Sequence, residues 1–424
     1  MRDMRESGVE WIGAVPTTWQ TLTIGSLFKV RNEKVNDTDY PPLSVTKSGI
    51  VPQMENVAKT DANDNRKMVL TNDFVINSRS DRKQSCGVSP LDGSVSLINT
   101  VLYPSKGAPI VPAYLNYLLK NHGFAEEFYR WGHGIVADLW TTRWQEMKNI
   151  LLPVPSVDEQ QSIFDSISVE SQKVDALITN VQAQIEKLKA YKQSLITEVV
   201  TKGLDPSVPM KDSGVEWIGK IPEHWKISRI GRHANVILGK MLCSTQLTTE
   251  HTLEKYYCAA NIHFDGVDLS VSKEMWFNEA EKQQYLVCAG DLLVVEGGAG
   301  AGGCAIIQNT ETPMYIQNSI MILRQQGTFD VRYFRYLLES LVKRGYVDLV
   351  CNKATIPHFT KDKLSSVPYP ILPTQEQCDI SDYLDKKCSQ IDQLIAIKQK
   401  KMDKLSEYKK SLIYEYATGK KEVS

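Results

Sequence analysis

Val174–Thr201 reads VDALITNVQAQIEKLKAYKQSLITEVVT, and Ile391–Thr418 reads IDQLIAIKQKKMDKLSEYKKSLIYEYAT. Asp175, Leu177, Ile178, Lys187, Leu188, Tyr191, Lys192, Ser194, Leu195, Ile196, Glu198 and Thr201 all recur 217 positions later, the mark of an internal duplication. Neither Pro nor Gly interrupts Val157–Lys202 or Thr374–Thr418. Val174, Leu177, Val181, Leu188, Tyr191 and Leu195 keep the spacing of threes and fours that lines up one helical face. Each copy is therefore expected to be a long helix with one apolar seam. A seam on a solvated helix must be covered, and the other copy is the nearest cover. An antiparallel intramolecular coiled coil follows as the expected pairing.

Upstream of each helix stand prolines, in Leu151-Leu152-Pro153-Val154-Pro155 and Tyr369-Pro370-Ile371-Leu372-Pro373. The residues that follow, Ser156-Val157-Asp158-Glu159 and Thr374-Gln375-Glu376-Gln377, have capping-box spacing and mark the helix starts. Ser166–Ser171 is a candidate break in the first helix.

Farther out, SGVEWIG at Ser7–Gly13 is repeated letter for letter at Ser213–Gly219, and the match extends from Pro16 and Trp19 to Pro222 and Trp225. Two indoles and a fixed turn suit a tightly packed opening segment rather than catalysis. Fainter matches follow, with Asp73-Phe74-Val75-Ile76 answered by Asp291-Leu292-Leu293-Val294, Cys86 by Cys304, and Tyr114–Leu119 by Tyr333–Leu338. Short β-rich runs (Ser94–Tyr103, Cys304–Ile307, Tyr315–Arg324) precede a helix in each half, so the class is α+β. The expected order is a globular unit at 1–156 with its opening motif at 7–19, a helix at 157–203, a second unit at 204–373 with its motif at 213–225, and a helix and tail at 374–424. A pseudo-twofold axis would relate the halves, with the helices setting the spacing between the units.

The 424 residues carry a net charge of -1 and 42% apolar side chains, enough for two or three ordinary domains. No signal peptide and no membrane-length apolar run is present, so a cytoplasmic chain without a membrane partner is expected. Eight scattered cysteines show neither CxxC pairing nor histidines at ligand spacing, which points to reduced thiols and no metal. A near-neutral chain that binds nucleic acid would need local basic loops or help from partners.

Gly297–Gly303 follows a strand-like run, as a phosphate-cradling turn would, but Cys304-Ala305-Ile306-Ile307 reads as a further strand and no GK[ST] closes the loop. The same slot in the first half is Asn77-Ser78-Arg79-Ser80-Asp81-Arg82-Lys83-Gln84-Ser85. One scaffold position thus carries a basic polar loop in one half and bare glycine in the other. Arg and Gln reach base edges and phosphates, while glycine lets backbone approach DNA closely. Asn77, Arg79, Arg82, Lys83, Gly298 and Gly300 are candidate DNA contacts on this ground. A second slot before the proline exits contributes Arg130 and His133 in the first half, and Asn352, Lys353 and His358 in the second. No Walker A motif, no glycine motif for S-adenosylmethionine and no paired-carboxylate nuclease pattern occurs. Asp39-Tyr40-Pro41-Pro42 has the letters of an amino-methyltransferase motif in the wrong order. No catalytic residue and no cofactor is expected.

Taken together, SGVEWIG-x-x-P-x-x-W at the head of each half, the proline exits with Asp158-Glu159-Gln160 and Gln375-Glu376-Gln377, and the helix endings Leu188–Ile196 and Leu405–Ile413 resemble the specificity subunit of type I restriction-modification systems across essentially the whole chain. The resemblance implies two target-recognition domains, each reading one half of a bipartite site in double-stranded DNA. It also implies partners: two methyltransferase (modification) subunits that use S-adenosylmethionine, and ATP-dependent restriction subunits that translocate and cut. The chain itself would be a non-catalytic reader. The alternative is a coiled-coil scaffolding protein whose globular units bind other proteins.

Overall fold

The computed structural model describes residues 2–53, 64–79, 82–134, 140–309, 312–327, 329–351 and 357–423. It divides into two compact units, Met1–Ala183 with Lys398–Ser424, and Gln184–Ile397.

The first unit is built on a four-stranded antiparallel sheet in the spatial order Cys86–Val88, Phe74–Asn77, Asn99–Pro104, Phe28–Val30. The second repeats that order with Cys304–Ile306, Leu292–Val295, Ile320–Gln325 and Ala234–Leu238. The central strands are apolar without alternation because both faces are buried. In the first unit Phe74, Ile76 and Leu102 pack with Tyr114, Leu115 and Leu118 of the helix Pro112–Leu118, while Val75 and Val101 face Leu43, Ile50, Val69 and Val95. In the second, Leu292 and Val294 meet Tyr333, Phe334 and Leu337 of the helix Val331–Lys343, and Leu293 and Val295 turn to Ile262, Ile307 and Ile316. The covering β layers differ between units. The first uses Lys34–Val35, Arg66–Val69 and Gly93–Val95 with the hairpin Leu43–Thr46/Gly49–Pro52, the second Thr252–Tyr257, Lys273–Phe277 and Tyr315–Ile316.

The opening segments dock as packed turns. Trp11, Ile12, Val15 and Trp19 are buried in the first unit, and Ile218, Ile221 and Trp225 in the second. In both, the serine hydroxyl accepts from the valine amide two residues on, Ser7 from Val9 and Ser213 from Val215, each at 3.1 Å. The proline exits are strands: Leu151–Val154 pairs with Gln20–Thr23, and Pro368–Ile371 with Lys226–Arg229. Two-stranded edges of this kind tolerate the missing proline N–H.

The long helices span Val157–Lys202 and Thr374–Ala417. The first runs unbroken through Ser166–Ser171. Serine is compatible with a helix interior when its hydroxyl bonds back one turn, as Ser162 does to the Asp158 carbonyl at 3.0 Å. The buried and half-buried positions Ile167, Ser171, Val174, Ile178, Val181, Ile185, Leu188, Lys192, Leu195 and Val199 alternate strictly in steps of four and three, as do Gln377, Ser381, Leu384, Cys388, Ile391, Ile395, Lys398, Met402, Leu405, Lys409, Leu412 and Tyr416. This seven-residue repeat corrects the expected seam, because it passes through Ile178 rather than Leu177. Leu177 is left 47% exposed and Tyr191 55%.

Within each unit the helix segments run antiparallel. In the first, Lys409 pairs with Asp175 at 2.6 Å, and Arg2 bridges Glu159 and Glu422. In the second, Lys192 pairs with Asp392 at 2.7 Å, and a Cβ at Gly203 would lie 3.4 Å from the Glu376 carboxylate. The two lysine–aspartate pairs are images of one another under the repeat.

Paired polar groups fasten each globular part to its helices. Tyr114 donates its hydroxyl to the Ala417 carbonyl at 2.9 Å, and its counterpart Tyr333 donates to Val200 at 2.8 Å. Both acceptors sit in the last turn of a long helix, where carbonyls lack helical partners. Gln160 accepts from the Val111 amide at 2.8 Å and donates to Pro109 and Pro155 carbonyls. Gln377 accepts from the Asp330 amide at 2.9 Å and from the Tyr369 hydroxyl, and donates to Leu372. The glutamine shared by the two motifs is thus a buried clasp.

Candidate nucleic-acid interface

The two slots that the sequence treats separately are adjacent in space. In the first unit the loop after Phe74–Asn77 bridges the segment before the exit: Arg79 pairs with Thr141, and the Thr142 amide donates to the Ser78 carbonyl at 3.0 Å. In the second, Gly297 pairs with His358, and the Phe359 amide donates to the Glu296 carbonyl at 2.6 Å. His358 therefore corresponds to Thr141. His133 joins the first site by a different route, exchanging backbone hydrogen bonds with Thr141 at 2.9 and 3.0 Å.

In the first unit Asn77 is buried and its side-chain carbonyl accepts from the Arg79 amide at 3.0 Å, shaping the turn that carries the arginines. Arg79 and Arg82 are exposed and form no ion pair among the described residues. Lys83 and Arg130 are engaged: Lys83 lies 3.1 Å from Glu126 and 4.1 Å over the Tyr129 ring, and Arg130 lies 2.8 Å from Glu10 and 3.3 Å from Glu127. Exposed pairs such as Lys83–Glu126 and Arg130–Glu10 hold by about 0–1 kcal/mol, but Glu127 is buried, so a phosphate competes more readily for Lys83 than for Arg130.

Beside the loop opens a cleft of about 680 Å³, bounded by the hairpin Leu43–Thr46/Gly49–Pro52, by Asn77, Arg79, Arg82 and Ser85, and by the chain leading into Asn99. Among the described residues its lining holds Lys47, Arg66, Arg79 and Arg82 but no carboxylate, together with the amides of Gln53, Asn77 and Asn99. Cations with amide donors and acceptors are the side chains that meet phosphates and base edges.

In the second unit the glycine loop is a hairpin turn between two strands, as its sequence context predicts. The Gly302 amide donates to the Val295 carbonyl at 2.9 Å, and Val295 returns a bond to Gly303 at 2.8 Å. Gly302, at φ 82°, has no room for a side chain, since a Cβ would meet Val342 and Val347 at 2.8 Å. Gly298 takes φ 88° in open space, and at Gly300 a Cβ would touch only Val295 at 3.9 Å. The fold requires glycine at 302 but not at 300. His358 is exposed, with Nδ1 3.1 Å from the Glu296 carboxylate. Asn352 and Lys353 lie outside the described residues.

Sequence reasoning missed Arg66, whose strand Arg66–Val69 lies in the β layer that differs between the units, and it read Asn99 only as the repeat partner of Asn318, not as a cleft residue. It also missed the Thr141/His358 bridge, which shares an offset of 217 with the helices but almost no residue identity. Among the described residues no cluster of His, Cys, Asp and Glu could hold a metal, and no helix is long and apolar enough to cross a membrane.

No family model matches the chain. It is 23% identical over 450 residues to the MjaX specificity subunit of Methanocaldococcus jannaschii, described as a type I restriction enzyme subunit, covering 96% of this chain and 95% of that one. It is also 23% identical over 280 residues to the MjaVIII specificity subunit of the same organism, covering 64% and 62%. Among solved structures, a chain from work on complex assembly and conformational transition of the type I R-M system matches with a TM-score of 0.71 at 16% identity, over 95% of this chain and 98% of that one. The HsdS subunit from Thermoanaerobacter tengcongensis matches with a TM-score of 0.53 at 17% identity, over 96% and 98%. The resemblance read from SGVEWIG, the proline exits and the helix endings therefore holds: the curated homologues are named type I restriction enzyme specificity subunits, and the chain shares its fold with the two solved structures over 95% and 96% of its length.

Proposed function

We propose that this chain is the non-catalytic DNA-reading subunit of a cytoplasmic type I restriction-modification complex. Residues 1–156 and 204–373 would be the two target-recognition domains, each reading one half of a bipartite duplex site. The helices at 157–203 and 374–424 would pair as an antiparallel coiled coil with pseudo-twofold symmetry and hold the half-site readers apart. Two methyltransferase subunits and the restriction/translocase subunits would supply the chemistry, and this chain needs no cofactor for its part.

The observation that carries the reading is the shared backbone bridge, Arg79 to Thr141 and Gly297 to His358, dressed with different side chains in each unit. A protein that reads two unlike half-sites needs one scaffold with two chemistries in the same place. In the first unit Arg79, Arg82, Lys83, Arg130 and His133 would contact the duplex from the turn that Asn77 shapes. In the second, Gly298 and Gly300 would let backbone approach it, beside Asn352, Lys353 and His358.

Replacing Arg79, Arg82 and Lys83 with Ala tests this. Binding by the complex should weaken by roughly 1–3 kcal/mol for each of these side chains that reads a base. A base reader relaxes the first half-site alone, whereas a phosphate contact weakens every sequence alike. Unchanged affinity and specificity would refute the assignment, and so would methyl transfer or ATP hydrolysis by the isolated chain.

A further inference from the structure

Arg66 opens the strand Arg66–Val69 and forms part of the lining of the first unit's cleft. It is 7% exposed. One edge of its guanidinium is held from behind, with Nε donating to the Ser94 hydroxyl at 2.8 Å and one terminal nitrogen to the Ser94 carbonyl at 3.1 Å. Ser94 is itself fixed, since its hydroxyl donates to the Tyr40 carbonyl at 2.8 Å. The guanidinium has five N–H groups, and among the described residues these two bonds leave the end-on fork of the two terminal nitrogens open.

Three half-buried arginines show the usual way this fold holds a guanidinium. Arg31 lies 2.7 Å from Asp73, Arg324 2.6 Å from Asp291, and Arg335 3.3 Å from Glu339. Among the described residues no carboxylate pairs with Arg66. Burial pushes its pKa down, and the one opposing influence is the charge of Asp37, which forms no ion pair with it. A buried cation without a counter-charge costs several kcal/mol, and a neutral side chain could brace Ser94 without that cost. The cleft wall around it adds Lys47, Arg79 and Arg82, which are exposed, and Asn99, which is buried. The exposed cations are free to meet phosphates in many orientations, whereas Ser94 holds the Arg66 guanidinium in one.

We infer that Arg66 is a specificity-determining residue of the first unit, presenting its open fork to the O6 and N7 acceptors of a guanine in the major groove. The pairing is the one a guanidinium fork matches in both atoms, and the Ser94 anchor fixes the fork before DNA arrives. The inference rests on the DNA-reading function proposed above, and it names the base and the residue that reads it.

The test uses the full chain assembled with its modification subunits and a pool of duplexes randomised across the target. Wild type should select a bipartite site with at least one guanine in the half assigned to the first unit. Arg66→Gln and Arg66→Lys should relax that one position by roughly ten- to a hundredfold, leaving the rest of the site unchanged. Thermal unfolding of each variant checks the fold. A second measurement needs no variant: 7-deazaguanine, which lacks N7, at that position should weaken wild type and leave the Gln variant indifferent. An unchanged preference would overturn the inference, as would a loss equal across all sequences, the sign of a phosphate contact, or 7-deazaguanine tolerated at every position. A wild-type complex that selects no sequence would instead overturn the DNA-reading function itself.

Discussion

Tyr333→Phe removes one oxygen and leaves the ring that packs with Trp225 and Tyr369. The oxygen matters because Val200 lies in the last turn of a helix ending at Lys202, where carbonyls have no helical donor. Tyr333 is fully buried, so water does not replace the missing bond at 2.8 Å. A buried carbonyl left unpaired costs about 1–3 kcal/mol. Since about 1.4 kcal/mol is a factor of ten, local opening of this helix end should become roughly five- to 150-fold more frequent. Native-state hydrogen exchange followed by mass spectrometry reads this directly in peptides spanning Ile196–Gly203. Tyr114→Phe should do the same at Leu412–Thr418 through Ala417, and each substitution should leave the other helix end unchanged. Denaturant melts suit this less well, because a chain of two units need not unfold in two states. Exchange that stays within twofold of wild type at the cognate end, or rises equally at both ends, would refute the account of these tyrosines as clasps.

Cys86 and Cys304 occupy matching core strands, and burial pushes each thiol up to about 12; in the native protein at pH 8 both should resist iodoacetamide while exposed Cys288 is labelled first, which peptide mapping would show. Gly300→Ala should leave the melting temperature unchanged yet weaken recognition of the second half-site, whereas Gly302→Ala, which meets Val342 and Val347, should lower the melting temperature. Equal effects from the two substitutions would remove the distinction between a structural and a DNA-facing glycine. A circular permutant is also expected to fold and keep its target, because Arg2 lies 3.4 Å from Glu422, and Gly419 packs under Pro16 and Trp19 as Gly203 does under Pro222 and Trp225. It would join the present termini and open the chain between Asp205 and Pro206, and a soluble permutant with altered half-sites would contradict this.

What the sequence made legible is what the duplication preserved. The helices, the opening segments and the core strands recur because each is bound by packing that admits few substitutions: the indoles of Trp19 and Trp225, the apolar runs at Phe74–Ile76 and Leu292–Val294. Periodicity gave a helical seam but misassigned Leu177 and Tyr191, since apolar character alone does not separate a seam position from its neighbour 100° away. The clasping roles of Gln160 and Gln377 were hidden because a polar residue next to a helix start reads as part of a cap. The cleft was least legible. Its walls come from Leu43–Pro52, Arg66 and Asn99, far apart in the chain, and its outer β layer is built from different strands than the one in the second unit. A surface free to differ between units leaves no internal repeat to read.

The central claim, two readers held apart by paired helices, is tested most directly by lengthening both helices at matching places. Four residues inserted after Ala183 and four after Lys400 add one turn to each, about 6 Å. With ~3.4 Å per base pair, mapping methylated adenines in a host that carries the altered chain with its methyltransferase subunits should show both half-sites unchanged and the gap between them longer by about two base pairs. Methylation at the original gap, or at altered half-sites, would contradict the claim.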